Sequence, residues 1–279
     1  MANALILQSD FGLSDGAVSA MYGVAYDVDE NLKIFNLTHD IKPFDIWEAS
    51  YRLIQTVQYW KPGTVFVSVV DPGVGSKRKS VAVKTSQGQY IITPDNGTLT
   101  HVKKRIGIEE AREIDETKHR LPNSGESYTF HGRDIYAYSA AKLASGKITF
   151  EEIGPTIPVE DIVEMATIAP TCDNETIHGT IDVLDIRFGS IWTNIPRTMF
   201  KELGFAFGDM VQVTIEHEHR IVYKNMMVYG RSFADVSTGE TLVYTNSLDM
   251  MAIAINQGSF AKAYNVETGI GWMVTLSKA

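Results

Sequence analysis

The 279 residues contain one cysteine, Cys172. A single thiol forms no disulfide within the chain, and a cysteine-based zinc site lacks its partners. Set beside Pro170 and Thr171 in a linker-like stretch, Cys172 reads as inert rather than nucleophilic. No run approaches the roughly 18 consecutive apolar residues of a membrane span. The chain enters a strand-like stretch at Ala4 to Gln8 with no basic segment before it, so no signal peptide is expected and the cytoplasm is the expected compartment. Basic residues are in the minority, 25 against 34 acidic, and the net charge of −9 repels phosphate backbones. The longest basic cluster, Lys77-Arg78-Lys79, is too short to form a basic stripe. Neither nucleic acid nor membrane is therefore expected as a partner.

Hydrophobic residues make up 44% of the chain, enough for a core in each of two domains, which its length suggests. The first half alternates buried-strand and helical patterns. Ala4 to Leu7 reads as a strand ending in Ser9-Asp10-Phe11-Gly12, Asp15 to Asp27 as a helix, and Lys33 to Leu37 as a second strand. Apolar residues at helical spacing run from Ile46 to Trp60, where Lys61-Pro62-Gly63 stops them. Thr64 to Val70 is a nearly continuous β-branched run, as in a strand covered on both faces, and it ends in Asp71. Ser80 to Lys84 and Tyr90 to Thr93 add strands, and Gly132 to Ala144 reads as a helix preceded by His131. This alternation predicts an α/β domain around a mostly parallel central sheet.

Pro155 to Pro170 reads as a connector. Beyond it, Val211 to Glu216, Arg220 to Tyr223, Leu242 to Tyr244 and Met251 to Ala254 are short strand patterns broken by Gly, Asn and Asp. They predict a smaller all-β C-terminal domain, a barrel or sandwich. The expected division is an α/β domain over 1–160, a linker over 161–174 and a β domain over 175–279.

Asp10 and Asp71 each follow the carboxyl end of a predicted strand, where open α/β sheets bind ligands. Such a carboxylate can accept from a ribose diol, hold a metal, or merely turn the chain. From Asp71 to Arg78 the Gly- and Pro-rich stretch makes a tight loop that lets Arg78 fold back on Asp71, or else a plain surface turn. It lacks phosphate-loop spacing. His131, at a helix start, faces the positive end of the helix dipole, which favours the neutral imidazole able to accept or relay a proton. The alternative is a cap or a satisfied, partly buried histidine. His217-Glu218-His219 lies between strand patterns without a third ligand and reads as a hairpin turn. Asp185 to Asn194, Phe233 and Asn256 to Ser259 collect aromatics, small polar groups and amides suited to a flat heterocycle, or to a core with turns.

Six segments in order, SDFGLSDGAVSAMYGV (9–24), VVDPGVGSKR (69–78), ITPDNGTLT (92–100), TFHGRD (129–134), DIRFGSIWTNI (185–195) and AINQGSFA (254–261), carry a resemblance over almost the whole chain. The chain resembles the S-adenosylmethionine (SAM) hydroxide adenosyltransferases, relatives of the fluorinase and chlorinase that attack SAM with halide. The resemblance implies hydrolysis of SAM to adenosine and methionine at the ribose 5′-carbon, without a cofactor or metal, by a homotrimer whose sites lie between one copy's α/β domain and its neighbour's β domain. It implies that Asp71, Arg78 and His131 position and activate water, and that Asp10 binds the ribose hydroxyls. It places Asp15, Asp185 and Ser247 at the methionine end, Phe188 and Phe233 against adenine, and Asn256 at the adenine edge. Asp71 stands where the halogenases have Tyr, and Gly132 where the fluorinase has Ser. An anionic carboxylate at the attack site repels halide and favours water. Ser190 replaces the relatives' Asn, exchanging a two-pronged amide for one hydroxyl, and Phe44 replaces a Trp while keeping an aromatic wall. Two rival readings remain at this stage. One is a metal-dependent phosphohydrolase with Asp10, Asp15, Asp71 and His131 as ligands, and the other a non-catalytic adenosine or SAM sensor.

Overall fold

The computed structural model describes residues 3–278, and the chain divides into two compact units that meet in sequence at Met165/Ala166. In the first unit the strands are β1 (Leu5–Ser9), β2 (Ile34–Thr38), β3 (Val65–Val69), β4 (Ser80–Thr85), β5 (Tyr90–Pro94), β6 (Ile108–Glu113) and β7 (Thr156–Ile157). They form one sheet in the order β2-β1-β3-β5-β4-β6-β7. The β2-β1-β3-β5 half is parallel; β4 runs antiparallel to β5 and β6, and β7 antiparallel to β6.

Helices cover both faces, as the continuous apolar runs require. Alternate side chains of β1 and β3 divide between two cores. Leu5, Leu7, Val65, Val67 and Val69 pack with Met21, Ala25 and Ala140, whereas Ile6 and Phe66 pack with Leu53, Val57 and Val102. Helix α1 (Ala17–Val28) buries Val18, Met21, Ala25 and Val28, one stripe at helical spacing. Helix α2 (Ile46–Thr56) starts at Asp45, whose side chain accepts from the Glu48 N–H at 2.8 Å. Its last turn tightens to a 3-10 turn over Val57–Tyr59 instead of continuing to Trp60. Helices α3 (Thr100–Arg105) and α4 (Glu116–His119) are short. The helix expected from Gly132 opens as a wide π turn over Gly132–Ala137 and becomes regular only in α5 (Tyr138–Ala144).

Part of the stretch read as a connector has structure: Thr156–Ile157 pairs with β6, the Val163 N–H bonds Asp95, and β8 (Thr171–Asp173) pairs with the next strand. The second unit continues with β9 (Thr176–Leu184), β10 (Ile191–Pro196), helix α6 (Arg197–Glu202), β11 (Met210–His217), β12 (Arg220–Tyr229), β13 (Thr241–Thr245), β14 (Met250–Ile255), helix α7 (Phe260–Tyr264) and β15 (Gly269–Lys278). Strands β10-β14-β13-β12-β11-β15-β9 close through β9–β10 pairing into a seven-stranded barrel, with β8 outside on β9. Closure satisfies the strand edges. Ile181, Val213, Ile215, Val243, Ile253 and Val274 fill the interior beside Phe200, which stacks on Phe205 at 4.0 Å. His217-Glu218-His219 is a hairpin turn, with Glu218 and His219 at positive φ and the His217 ring stacked on Trp272. Among the described residues no helix is long and apolar enough to cross a membrane, and Cys172 is exposed.

His101 of α3 is buried edge-on against Trp47 and Tyr51, with Nδ1 2.9 Å from the Ser50 hydroxyl. Burial first, then Arg105 and Lys104, push its pKa down to about 3. The unfolded chain, with an ordinary imidazole, binds more protons between about pH 6.5 and 3, so stability falls as pH falls through that window. The urea midpoint is expected to decline over this range, and His101→Phe to decline less steeply.

Candidate active site

Strand β1 lies between β2 and β3, and the chain leaves β1 and β3 toward opposite sides of the sheet. That is a topological switch point, where a crevice opens beyond the strand ends. Ser9 pairs with Val69, so Asp10 and Asp71 emerge at neighbouring strand ends. Both line a cleft of about 250 Å³ together with Phe11, Phe44, Val74, Thr129, Phe130, His131 and Gly132. Asp10 Oδ2 accepts the Phe44 N–H at 2.9 Å, which ties the loop after β2 to the cleft. Phe44 sits at φ 70°, rare for an aromatic residue, with its ring 71% exposed. Gly132 is close enough to Phe11 that an added Cβ would lie 3.1 Å from the ring.

Two consecutive turns, Val74 N–H to Asp71 O and Ser76 N–H to Gly73 O, fold the 71–78 loop back on itself. Arg78 Nε then donates to Asp71 Oδ1 and Oδ2 at 3.0 and 3.1 Å, and Nη2 donates to Oδ2. Arg78 Nη2 also approaches His131 Nδ1 at 2.9 Å. Both members of the ion pair are largely buried. Burial works against the Arg78 charge, but its hydrogen bonds to Asp71 and the nearby acidic groups more than offset it and hold the guanidinium firmly charged. His131 is pushed below the ordinary imidazole value, by burial first and then by Arg78. Of the three residues brought together by the sequence resemblance, Arg78 thus touches both of the others and bridges them.

The second unit holds a separate cavity of about 860 Å³, in the range of small-molecule sites. Its lining includes the expected Asp185, Phe188, Ser190, Phe233, Ser247 and Asn256. Asp185 Oδ1 accepts the N–H groups of Arg187 and Phe188, both at 3.2 Å, which shapes the loop that presents Phe188. Gly189 turns that loop at φ 67°, where an added Cβ would lie 1.9 Å from the Ser259 hydroxyl oxygen. Phe233 is held by a turn capped by Ser232 and Asp235, and its ring lies 5.0 Å from Tyr244. Asn256 Nδ2 donates to Val236 O at 2.8 Å. Asp15 is placed differently. Its carboxylate accepts the Ala17 N–H at 2.9 Å at the start of α1, outside the cleft lining.

The sequence reading missed several contributors. Trp192 and Tyr244 line the barrel cavity, the indole N–H donating to the Tyr244 hydroxyl at 3.2 Å, and Ser190 bonds the same hydroxyl. Arg231 also lines it. Behind the cleft, Ser80, Glu116, Arg120 and Tyr136 surround Arg78 and His131. The available signal for two of them was the i,i+4 spacing of Glu116 and Arg120 after the helix-capping Asp115.

Residues 5–154 match the family model described as the SAM hydroxide adenosyltransferase N-terminal domain, and residues 179–273 match the C-terminal domain. The chain is 36% identical over 221 residues to an (R)-S-adenosyl-L-methionine hydrolase of Methanocaldococcus jannaschii, covering 78% of this chain and 75% of that protein. It is 31% identical to the (R)-S-adenosyl-L-methionine hydrolase of Salinispora arenicola, covering 96% and 95%, and 28% identical to a fluorinase of Actinopolyspora mzabensis, covering 98% and 97%. A crystal structure of an uncharacterized conserved protein from Thermotoga maritima superposes with a TM-score of 0.90 at 32% identity, covering 98% of this chain and all of that one. A strand-end cleft with a held carboxylate and a barrel with an aromatic cavity therefore define a two-domain enzyme of the kind to which these hydrolases and fluorinases belong. The chain is a member of the SAM hydroxide adenosyltransferase family.

Gly189→Ala forces both an unfavourable φ and a clash with the Ser259 loop. It is expected to cost roughly 2–4 kcal/mol, seen as a lower thermal midpoint. An unchanged midpoint would mean that the two loops are not locked together.

Proposed function

We propose that this protein hydrolyses SAM to adenosine and L-methionine by in-line attack of water on the ribose 5′-carbon. The observation that carries the reading is the Asp71 carboxylate, held by Arg78 at a strand end beside Asp10 within one cleft. The curated relatives named as (R)-SAM hydrolases support the same chemistry and point to the (R) epimer. As the carbon–sulfur bond breaks, the sulfonium takes the bonding pair and leaves as a neutral thioether, so no general acid is needed. The task is to place an oxygen in line, about 3–3.5 Å from the carbon, and to raise its hydroxide character. Asp71 orients that water or accepts its proton, Arg78 fixes the carboxylate, and His131 completes the triad. Asp10 accepts from the ribose hydroxyls beneath Phe44.

In the barrel unit Phe188 and Phe233 stack on adenine, Asn256 and Ser190 face its edge, and Asp185 and Ser247 serve the methionine end, to which Asp15 of the α/β unit also belongs. Gly132 keeps the wall beside the reacting carbon free of a side chain. The carboxylate of Asp71 disfavours halide as nucleophile, which separates this chain from its fluorinase relatives. We further propose that no metal or cofactor takes part. Arg78 already occupies both oxygens of Asp71, and a cation there would meet a guanidinium; Asp15 is outside the cleft lining. Activity after exhaustive chelation tests this point.

A cleft of about 250 Å³ is small for a nucleoside sulfonium. Exposed Phe44 in its lining, and Ile186 and Phe188 in the loop at the barrel cavity, are apolar surface suited to being covered. This supports association between copies; we propose a homotrimer in which the half-sites of neighbouring copies complete each other, and the cytoplasm as its compartment.

Incubation with SAM is expected to release adenosine and methionine in equal amounts, and a protein that binds SAM without releasing adenosine would be a sensor instead. Asp71→Asn is expected to lower kcat by about 10²–10⁴ while SAM binding is largely kept. Wild-type turnover in that variant removes the assignment. Asp10→Ala is expected to weaken SAM binding by about 1–3 kcal/mol through lost charge-assisted hydrogen bonds, read by calorimetry; unchanged affinity removes its ribose role.

A further inference from the structure

Behind the cleft, polar contacts run in a closed ring. Arg78 holds Asp71, and its Nη1 donates to Ser80 Oγ at 3.0 Å. Ser80 donates to Glu116 Oε1 at 2.9 Å, and Tyr136 OH lies 3.2 Å from the same hydroxyl. Glu116 Oε2 accepts from Arg120 Nη2 at 3.0 Å, and that nitrogen also lies 3.3 Å from His131 Nε2. His131 Nδ1 closes the ring at Arg78 Nη2. Arg120 lies under the Tyr128 ring, and its Nη1 is buried without a hydrogen-bond partner, so its place is not explained by its own hydrogen-bonding needs.

Both nitrogens of His131 therefore face guanidinium groups. A guanidinium only donates, and a neutral imidazole has one lone pair to offer. The shorter contact assigns that lone pair, on Nδ1, to Arg78. The ring proton is then on Nε2, facing Arg120. An imidazolium would have no acceptor for either N–H and would stand between two cations. No lone pair remains for a water molecule.

From this geometry we infer that His131 carries no proton in the reaction, and that Arg120, braced by Glu116, is a positioning residue that keeps His131 neutral so that it accepts from Arg78 and aims Arg78 at Asp71. The inference rests on the hydrolase reading and refines it. Oxygen bonds to the 5′-carbon, the carbon–sulfur pair leaves on sulfur, and the proton lost by water passes to Asp71 and on to solvent. Burial, then Arg78, lower the pKa of His131, with Arg120 acting in the same direction against Glu116 and Asp71.

The test is the pH dependence of kcat/KM for SAM, together with NMR titration of the His131 ring in the intact protein. In the wild type the ring is expected to take up its proton only below the ordinary imidazole value of about 6.5, with no acid limb from histidine above it. Arg120→Gln removes one facing cation. It is expected to raise the His131 pKa and to create an acid limb in kcat/KM, while Arg120→Lys restores the wild-type profile. His131→Ala is expected to lower kcat about 100-fold, and His131→Asn, which keeps an acceptor for Arg78, to recover at least about tenfold of that. An acid limb in the wild type that disappears in His131→Asn would establish a proton relay and overturn the inference. So would an Arg120→Gln titration identical to wild type. If SAM yields no adenosine, the hydrolase reading fails by itself, and the NMR titration still decides whether Arg120 keeps His131 neutral.

Discussion

The arrangement of the cleft depends on one ion pair, the Arg78 guanidinium laid along the Asp71 carboxylate. A buried charge pair of this kind is stable only when its remaining polar atoms are also satisfied. That requirement accounts for much of the surrounding structure. Arg78 has one further N–H for Ser80 and one for His131, and each of these partners is tied to another element. Ser80 begins β4, Glu116 and Arg120 belong to the helical turn after β6, and His131 and Tyr136 belong to the wide turn that leads into α5. Three separate segments are therefore fixed in place by the demand of one guanidinium.

The same demand limits the chemistry available. A carboxylate whose oxygens already accept from a guanidinium is held in one orientation, as the proposed aiming of a water molecule requires. The wide turn at Gly132–Ala137 places His131 against Arg78 while Gly132 remains close to Phe11 and Val69. Irregular helical turns of this type are frequent at functional sites, because the extra residue re-aims a side chain without ending the helix. Phe44, at positive φ and tied to Asp10, is a second local departure from relaxed geometry at the same cleft.

The barrel unit follows a different logic. Its cavity is shaped by loops whose backbones are tied to each other: Asp185 accepts from Arg187 and Phe188, and the Ala261 N–H donates to Gly189 O. Phe188 and Phe233 are held by loops, whereas Trp192 and Tyr244 are placed by strands β10 and β13. Ser190 is 2% exposed and belongs to a hydroxyl chain with Tyr244 and the Trp192 indole N–H. The polar edge of the cavity is therefore shared by three side chains, Ser190, Tyr244 and Trp192.

The elements visible in the sequence were those defined by a repeating period. Val65–Val69 was legible because both faces of that strand are buried, and α1 because its buried residues recur at helical spacing. Strand β6 was not legible. Ile108-Glu109-Glu110-Ala111-Arg112-Glu113 reads as a charged surface segment, and it is a strand because β4 and β7 pair with it on either side and Lys84 and Lys79 meet Glu109 and Glu113. The Asp71, Arg78 and His131 contact could be anticipated from motifs, since seven residues of tight loop can return Arg78 to Asp71. Its outer ring could not. Ser80, Glu116 and Arg120 come from elements far apart in sequence, and their residue types are common on any surface. Only the packed sheet shows that a glutamate beyond β6 and a serine at the head of β4 share a hydrogen bond, and that an arginine four residues later faces the imidazole. Local patterns can identify the residues that meet a ligand, whereas the groups that set their protonation are chosen by topology.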